Sequence, residues 1–351
     1  MKLKTIWLVD QYASPPEIGI GGGGRHYYLG KELVKRNFIV YVISANYSHL
    51  LSNKKQTDKP LSIENIDGIN WVWVDVPKYK SSRDKQRVFN WFLFVIRFVL
   101  NHKVLNVPDV VLTSSPSPFT YFIGKKIAKL YNAKFIFEIR DIWPLTLIEI
   151  GAISKFHPLI KLMSWVEKKA YKNSDVILSN LPLVSEHIKS INTKYAKKFQ
   201  WITNGFSQAE MDESLPLEEN KVLKLPENSF VVGYAGTLGL ANALTYLIDA
   251  AELVKKDKDI YFVLVGKGEE RDKLKQKVLD LSLKNVLFID PIKKSQVKSM
   301  LSMFDVCFIG WKKDKMYRFG ISPNKLPEYM YSGKPVIHSF SGESDMIKLA
   351  N

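Results

Sequence analysis

Short apolar runs and longer amphipathic segments alternate along the whole chain. The apolar runs, rich in Val, Ile, Leu and Phe, lie at residues 5–9, 39–43, 108–112, 134–138, 176–179, 230–235, 260–265, 286–289 and 305–309. Runs of this length predict buried strands, and the longer segments between them predict covering helices. This alternation predicts an α/β protein built on parallel sheets, and 351 residues suffice for two domains of ordinary size.

A glycine-rich loop at residues 19–24 separates the first strand from the first predicted helix. Its glycines fit the G-x-G-x-x-G spacing of dinucleotide-binding proteins, but residues 10–18 intervene between the strand and the loop. The acidic residue that binds the ribose is also missing, because residues 44–46 read Ser-Ala-Asn after the second strand. We therefore expect a loop whose amides, at Gly23 and Gly24, approach a phosphate across a cleft.

Residues 320–337 predict a loop, a short helix over 324–331 and a strand. The free N–H groups at a helix start can bind phosphate, and Lys325 adds a full positive charge there. Glu328 lies one turn further along the same face. This pair suits a nucleoside diphosphate, with Lys325 on the phosphate and Glu328 on the ribose hydroxyls. The alternative is an amphipathic helix with a solvated Lys–Glu pair.

Other polar loops follow the carboxyl ends of predicted strands, where parallel sheets bind ligands. After the strand at 134–138, Arg140 can bind a phosphate and Asp141 can accept the proton of an acceptor hydroxyl. A salt bridge within the loop is the alternative. His26, at the start of the first helix, is expected to be a cap or a solvated residue, and a ligand or a catalytic group is the alternative. Further candidates for phosphate binding are the turns Gly236-Thr237 and Gly266-Lys267.

The positive charge is concentrated in the first part of the chain. Of the net charge of +16, residues 1–200 carry +15 and residues 201–351 carry +1. A basic domain predicts contact with an anionic surface, for which nucleic acid and anionic lipid are both candidates. The sequence contains no RNA-binding signature, so we expect no nucleic-acid partner.

Residues 83–104 combine basic and aromatic side chains. The segment is too short, and too interrupted by Arg97, to span a membrane, which takes about 20 apolar residues. It predicts an interfacial helix, a buried helix packed on the sheet, or a helix that does both with different faces. In the interfacial case, the membrane-facing side chains are Arg83, Lys85, Arg87, Trp91, Phe92 and Arg97.

The motifs in these loops resemble those of one enzyme family. Residues 322–337, Ser-Pro-Asn-Lys-Leu-x-Glu-Tyr-Met-x-x-Gly-Lys-Pro-Val-Ile, resemble the donor-binding segment of the family 4 retaining glycosyltransferases, which have the GT-B fold. With Arg-Asp-Ile-Trp-Pro at 140–144, they resemble the bacterial surface-polysaccharide branch that includes the N-acetyl-L-fucosamine transferases. Glu328 matches the second Glu of the family's Glu-x7-Glu motif, but Gly320 stands where the first Glu belongs.

The resemblance implies two Rossmann-like domains that face each other across a cleft, an acceptor domain at 1–205 and a donor domain at 206–351. It implies transfer of a sugar from a nucleotide diphosphate donor, such as a UDP-linked N-acetylaminosugar, to a polyprenyl-diphosphate-linked saccharide in capsule or O-antigen synthesis. The expected catalytic residues are Arg140, Asp141 and Lys325. The expected donor-binding residues are Gly23, Gly24, Gly236, Thr237, Gly266, Lys267, Ile292, Ser322, Asn324, Lys325 and Glu328.

We expect neither a metal nor another cofactor, because the chain has no cluster of His and Cys residues with ligand spacing. The lone Cys307 is expected to be a core thiol, which fits a reducing compartment and the cytoplasmic face of a bacterial membrane. The family continues with further helices, so we expect the chain to be truncated after Asn351.

Two other functions remain open. A GT-B sugar-nucleotide epimerase would convert the donor without an acceptor. A catalytically inactive scaffold that binds membrane and partner transferases is favoured by the missing first Glu at Gly320 and by the lack of a cation in the turn after the strand at 230–235.

Overall fold

The computed structural model describes residues 3–19, 24–80, 84–149, 151 and 153–342, which form two α/β domains. The first sheet contains β1 (Thr5–Val9), β2 (Ile39–Ala45), β3 (Leu61–Ile66), β4 (Ile69–Val74), β5 (Val110–Ser114), β6 (Lys134–Ile139), β7 (Val176–Ser179) and β8 (Phe199–Trp201). Their spatial order is β3-β4-β2-β1-β5-β6-β7-β8, and neighbours are parallel except β3 and β4. The α/β class with parallel sheets is confirmed.

The antiparallel β3–β4 pair at the edge of this sheet departs from the prediction of strands joined by helices. The two strands connect through Asp67 and Gly68, whose φ angles are +51° and +84°. Positive φ at both central residues is the conformation of a type I′ hairpin turn, for which Asp-Gly is a preferred pair. That dipeptide was the sequence signal for the hairpin.

Helices cover both faces of the first sheet. They are α1 (Arg25–Lys35), α2 (Lys85–Asn101), α3 (Thr120–Tyr131), α4 (Leu145–Glu149), α5 (Pro158–Asn173), α6 (Val184–Ile191) and α7 (Thr193–Ala196). Because alternate residues of a strand face opposite sides, β1 contributes to two apolar clusters. Trp7 packs with Phe94 of α2 in one cluster. Leu8 packs with Tyr27 of α1 in the other.

The second domain repeats this arrangement around a smaller sheet. Its strands are β9 (Phe230–Ala235), β10 (Ile260–Val265), β11 (Val286–Ile289), β12 (Val306–Gly310) and β13 (Val336–Ser339), and all neighbours are parallel in the order β11-β10-β9-β12-β13. The helices are α8 (Gln208–Asp212), which precedes the sheet, α9 (Thr245–Leu253), α10 (Arg271–Asp280), α11 (Val297–Ser302) and α12 (Lys325–Tyr331). The predicted helix at 324–331 is therefore α12. Cys307 lies buried in β12, as the core-thiol prediction expected.

One turn of the second domain packs into the first domain. We call this 3₁₀ turn, Lys315–Phe319, the docking turn. Its Met316 and Phe319 are buried in an apolar cluster of the first domain. Arg318 Nη1 and Nη2 donate hydrogen bonds of 2.8 Å and 2.9 Å to the two carboxylate oxygens of Glu149. A cavity of about 830 Å³ beside the docking turn is lined by none of the predicted site residues.

Gly233 in β9 lies against Phe304, and a Cβ atom at this position would overlap the phenyl ring. Gly233→Ala is therefore expected to lower the free energy of unfolding by about 1–3 kcal/mol through overpacking. Urea denaturation followed by circular dichroism measures the change. Gly205→Ala is the matched control, because no heavy atom lies within 4 Å of its Cβ position. Equal midpoints for the two variants would contradict close packing at Gly233.

Candidate functional site

Two glycine turns, after β9 and after β10, meet the start of α12 at the carboxyl edge of the second sheet. Gly236 and Gly266 have φ angles of +153° and +137°, which residues with a side chain rarely adopt. A Cβ on Gly266 would overlap the Gly236 carbonyl oxygen, and a Cβ on Gly236 would lie 3.1 Å from Lys325 Nζ. Their own N–H groups donate to carbonyls of neighbouring strands. These glycines therefore shape the site, and phosphate binding by the two turns stays a prediction.

The ammonium group of Lys325 occupies the space that these glycines leave. Its Nζ donates to the Tyr234 hydroxyl at 2.8 Å and to Asn242 Oδ1 at 3.3 Å, and it lies 4.3 Å from the centroid of the Tyr234 ring. Burial lowers the pKa of Lys325 to about 8, although Glu328 opposes the shift. The charge thus has neutral hydrogen-bond partners at this position, and its pKa lies close to neutral pH.

Glu328 is half-buried one turn further along α12, as the spacing predicted. Its carboxylate accepts a hydrogen bond from the Lys294 ammonium. Lys294 was missed by the sequence reasoning, although it follows the predicted donor-binding Ile292 by only two residues. Asn242 was missed as well. The sequence reasoning looked for a cation in that turn, whereas Asn242 supplies a neutral acceptor for the Lys325 ammonium.

The other predicted donor-binding residues are less closely grouped. Asn324 and Lys267 are exposed, Ile292 is half-buried against the core of the second domain, and Gly23 lies outside the described residues. The Thr237 carbonyl accepts hydrogen bonds from Tyr234 Oη and Asn242 Nδ2. The Ser322 carbonyl accepts a hydrogen bond from Asn204 and so links the second domain to the first. The Gly24 amide donates to the Ser14 carbonyl within the loop that follows β1.

A buried charge cluster lies at the carboxyl edge of the first sheet. His26 lies between two carboxylates, with Nδ1 3.0 Å from Asp10 Oδ2 and Nε2 3.1 Å from Glu138 Oε2. Arg140 Nη1 is 3.0 Å from Asp10, and Arg25 Nε is 2.9 Å from Glu138. We call these five residues the His26 cluster. The prediction of His26 as a cap or solvated residue is wrong, because its side chain is only 1% exposed.

Mutual neutralisation sets the charges of the cluster. Burial alone would lower the pKa of His26, but its two carboxylate partners outweigh burial and raise it. Burial alone would raise the pKa of Asp10 and of Glu138, but His26 and the arginines lower both. The two carboxylates therefore stabilise the fold at pH values above their unfolded-state pKa values. This stabilisation is lost as the pH falls through their lowered pKa values in the folded protein. The contribution of His26 is lost as the pH rises through its raised pKa.

Arg25 connects this cluster to the second domain. Its Nη1 donates to the Thr203 carbonyl at 2.7 Å and to Asn204 Oδ1 at 3.1 Å. Asn204 Nδ2 in turn donates to the Ser322 carbonyl at 3.0 Å, three residues before Lys325. A continuous path of hydrogen bonds therefore joins Glu138 in the first sheet to the loop that begins α12.

Asp141 lies in the loop after β6 and is exposed, although protein surrounds it on most sides. Ser115 Oγ fixes this loop by accepting from the amides of Arg140 at 2.8 Å and Asp141 at 3.0 Å. The surrounding protein raises the pKa of Asp141, while Arg140 and Arg87 oppose the shift. Burial raises the pKa of Tyr317 to about 12, with the charge of Asp141 contributing. Ile142 and Trp143, the next residues of this loop, pack in the same apolar cluster as the docking turn, so the loop lies near the second domain.

The predicted membrane-facing residues of α2 point mostly inward. Trp91 is 3% exposed and donates to the Tyr12 hydroxyl at 2.7 Å, so its prediction as membrane-facing is wrong. Arg87 and Arg97 are half-buried and donate to Tyr12 and Asp75. Phe92 packs on Phe119, Lys85 is exposed, and Arg83 lies outside the described residues. The outward positions are Phe89, Ile96 and Leu100, which are 57%, 53% and 71% exposed.

Among the residues within the ranges given above, His, Cys, Asp and Glu side chains form no group of three that could hold a metal ion. Within the same ranges, no helix has the length and hydropathy that crossing a bilayer requires. Metal independence and membrane association both stay predictions.

The two Rossmann-like domains with parallel sheets have the GT-B fold, which is shared by solved structures of GT-B glycosyltransferases. One such structure is Anabaena Alr3699/HepE in complex with UDP and glucose. It is 16% identical, has a TM-score of 0.62, and is matched over 100% of this chain and 83% of that chain.

Sequence comparison finds similarity to one family and to two relatives. Residues 217–348 match the family described as glycosyl transferases group 1. The uncharacterized glycosyltransferase MJ1607 of Methanocaldococcus jannaschii is 24% identical over 359 residues, covering 99% of this chain and 83% of the relative. The putative colanic acid biosynthesis glycosyl transferase WcaI of Escherichia coli K12 is 23% identical over 279 residues, covering 76% and 67%. The chain is therefore similar to group 1 glycosyltransferases, and both membership of that family and the N-acetyl-L-fucosamine transferase branch stay predictions.

The pKa of Lys325 gives a pH test of its contact with a diphosphate. A bound diphosphate favours the ammonium form, so the complex holds its proton more tightly than the free protein. The affinity for UDP is therefore expected to fall about tenfold between pH 7 and pH 9, across the free-protein pKa of about 8. Calorimetric titration measures this profile. Lys325→Arg keeps its charge over this range and should flatten the profile; an unchanged slope would contradict the assignment.

Proposed function

We propose that this protein is a retaining glycosyltransferase that transfers a sugar from a UDP-linked donor, an N-acetylaminosugar, to a polyprenyl-diphosphate-linked saccharide. The product belongs to the synthesis of a capsule- or O-antigen-type polysaccharide. The observation that carries this proposal is the Lys325 ammonium at the meeting point of two glycine turns and α12. A cation held in a partly desolvated position with neutral hydrogen-bond partners interacts strongly with an anionic ligand.

The comparisons support this choice of donor and pathway. The HepE structure contains UDP and glucose, and WcaI is described as an enzyme of colanic acid biosynthesis. The HepE comparison covers the whole of this chain, including the second domain. Transfer of these properties to this chain rests on the Lys325 site.

The reaction that we propose breaks the bond between the anomeric carbon and the β-phosphate oxygen. A bond from the anomeric carbon to an acceptor hydroxyl oxygen forms on the same face, and the hydroxyl proton passes to the departing phosphate oxygen. The departing diphosphate gains charge, which Lys325 stabilises more in the transition state than in the ground state. Glu328 binds the ribose hydroxyls, while Asp141 and Arg140 position the acceptor.

Lys325→Ala tests the donor site directly. The variant is expected to lose at least a hundredfold in kcat, because removal of one such stabilising contact typically costs 10²–10³. UDP affinity by calorimetry and sugar release from UDP-N-acetylglucosamine are the two readouts. Lys284→Ala, at an exposed position of the same domain, is the matched control and should leave both unchanged.

The outcome also separates the alternatives. Wild-type protein that binds no UDP at millimolar concentration would favour the inactive scaffold and refute the proposal. Conversion of the UDP-sugar to its epimer without any acceptor would favour the epimerase. A Lys325→Ala variant within threefold of wild-type turnover would contradict the role of the ammonium.

We further propose that the first domain binds the anionic inner face of the plasma membrane through α2 and α3. The exposed Phe89, Ile96 and Leu100 recur at intervals of seven and four residues, which places them on one face of α2. Beside them lies a groove of about 450 Å³ with an almost wholly apolar lining. Three lysines also line the groove: Lys125, Lys126 and Lys129. Apolar side chains flanked by cations are typical of interfacial binding.

A double substitution on the outward face of α2 tests this membrane contact. Phe89→Ser with Ile96→Ser is expected to weaken sedimentation with phosphatidylglycerol vesicles at least tenfold, because two exposed apolar side chains leave the acyl region. Leu253→Ser is the matched control, since Leu253 is 86% exposed in the second domain. Equal binding of wild-type protein to neutral phosphatidylcholine vesicles would contradict a role for the lysines.

A further inference from the structure

The Lys294 ammonium is paired with the Glu328 carboxylate, one turn along α12 from Lys325. Lys294 lies in the 3₁₀ turn Lys294–Gln296, between β11 and α11. The Glu328 side chain is only 12% exposed, against 34% for Lys294. A carboxylate so far removed from water needs a counterion, and Lys294 supplies it. In the part of the chain that the structure describes, Glu328 Oε1 accepts from Lys294, and no second group donates to this carboxylate.

Hydrogen bonds fix the backbone that carries Lys294. The Gln296 side chain is buried, and its Nε2 donates to the Pro216 carbonyl at 2.9 Å. The Ser295 carbonyl accepts from the Leu215 amide at 2.7 Å. Both bonds attach the turn to the segment between α8 and β9. Lys294 therefore extends towards Glu328 from a defined backbone position.

The helix that carries Glu328 is anchored as well. The next residue, Tyr329, is 1% exposed, and its hydroxyl accepts from the Ala235 amide at 2.9 Å and donates to the Ala235 carbonyl at 3.1 Å. Leu326 is buried in the same apolar cluster as Tyr329. An ion pair between two anchored backbones restricts the Glu328 carboxylate, so less side-chain entropy is lost when a ligand binds to it.

We infer that Lys294 is a positioning residue of the donor site, which holds the Glu328 carboxylate so that Oε2 accepts a hydrogen bond from one ribose hydroxyl. This inference rests on the proposed function, in which Glu328 binds the ribose, and it gives a role to a side chain outside that proposal. Lys294 takes Oε1, so Oε2 is the oxygen left for the ribose. The ribose does not change charge during the reaction. The contact therefore stabilises bound donor and transition state alike.

Lys294→Met removes the ammonium and keeps an unbranched side chain. The variant is expected to bind UDP about tenfold more weakly in calorimetry, because the ribose hydroxyl loses a well-placed charged acceptor. With UDP-N-acetylglucosamine, KM should rise about tenfold while kcat stays within about threefold, as expected for a contact made equally in both states. Lys293→Met is the matched control, because Lys293 is the exposed neighbouring lysine and its loss removes the same charge. Unchanged or tighter UDP binding by Lys294→Met would overturn the inference.

Deoxy analogues of UDP show whether Lys294 acts through the ribose. Analogues that lack the 2′-hydroxyl or the 3′-hydroxyl are titrated into wild-type protein and into Lys294→Met. The analogue without the hydroxyl that Glu328 binds should bind the two proteins with equal affinity. A loss of about tenfold that persists with both analogues would place the effect of Lys294 on another part of the ligand, and it would overturn the inference.

Two further variants cover the case in which Lys294→Met is misfolded because Glu328 loses its counterion. Glu328→Gln carries no charge there, so adding Lys294→Met to it should cause no further loss of UDP affinity, and a second loss of about tenfold would contradict joint action. Lys294→Arg keeps the positive charge and should bind UDP within about threefold of wild type, whereas a loss of about tenfold would count against the ion pair. Wild-type protein that binds no UDP would refute the donor site itself. UDP binding that is insensitive to Lys294 would overturn this inference alone.

Discussion

The structure depends most on the pairing of buried charges around His26. A buried carboxylate or imidazolium is tolerated only with a partner of opposite charge, so Asp10, Glu138 and His26 hold one another in place. These residues come from three separate segments: the loop after β1, the start of α1 and the end of β6. Their pairing therefore fixes the loop edge of the first sheet on which Arg140 and Asp141 are presented.

The same pairing also orients the second domain. Arg25 shares Glu138 with His26 and extends to the interdomain segment at Asn204, whose amide contacts the loop before α12. Four groups that are joined by hydrogen bonds, Glu138, Arg25, Asn204 and Ser322, therefore connect the His26 cluster to the loop before α12. The two domains thus share one set of polar contacts, which runs from the His26 cluster to the loop before α12.

The sequence patterns predicted the element types, because continuous apolar runs and glycine turns report local constraints, and they named Gly236, Gly266 and Lys325 as separate candidates that the structure brings together. They failed where distant residues decide. Nothing local distinguishes a buried His26 from a solvated one, since its partners lie 16 and 112 residues away in the chain. The amphipathic pattern of α2 placed Trp91 and Arg87 on the membrane-facing side. In the structure, Trp91 packs in the core, and Arg87 lies over the rings of Tyr12 and Trp143 from two other segments. Lys294, by contrast, was within reach of the motif analysis.

The docking turn limits how the cleft can open. Withdrawing Met316 and Phe319 from the first domain would expose two buried side chains, at a cost of about 3–6 kcal/mol. Rotation about this anchored point keeps both side chains covered. We therefore expect the docking turn to act as the hinge of the two domains, so that the cleft opens for substrates on the side opposite this turn.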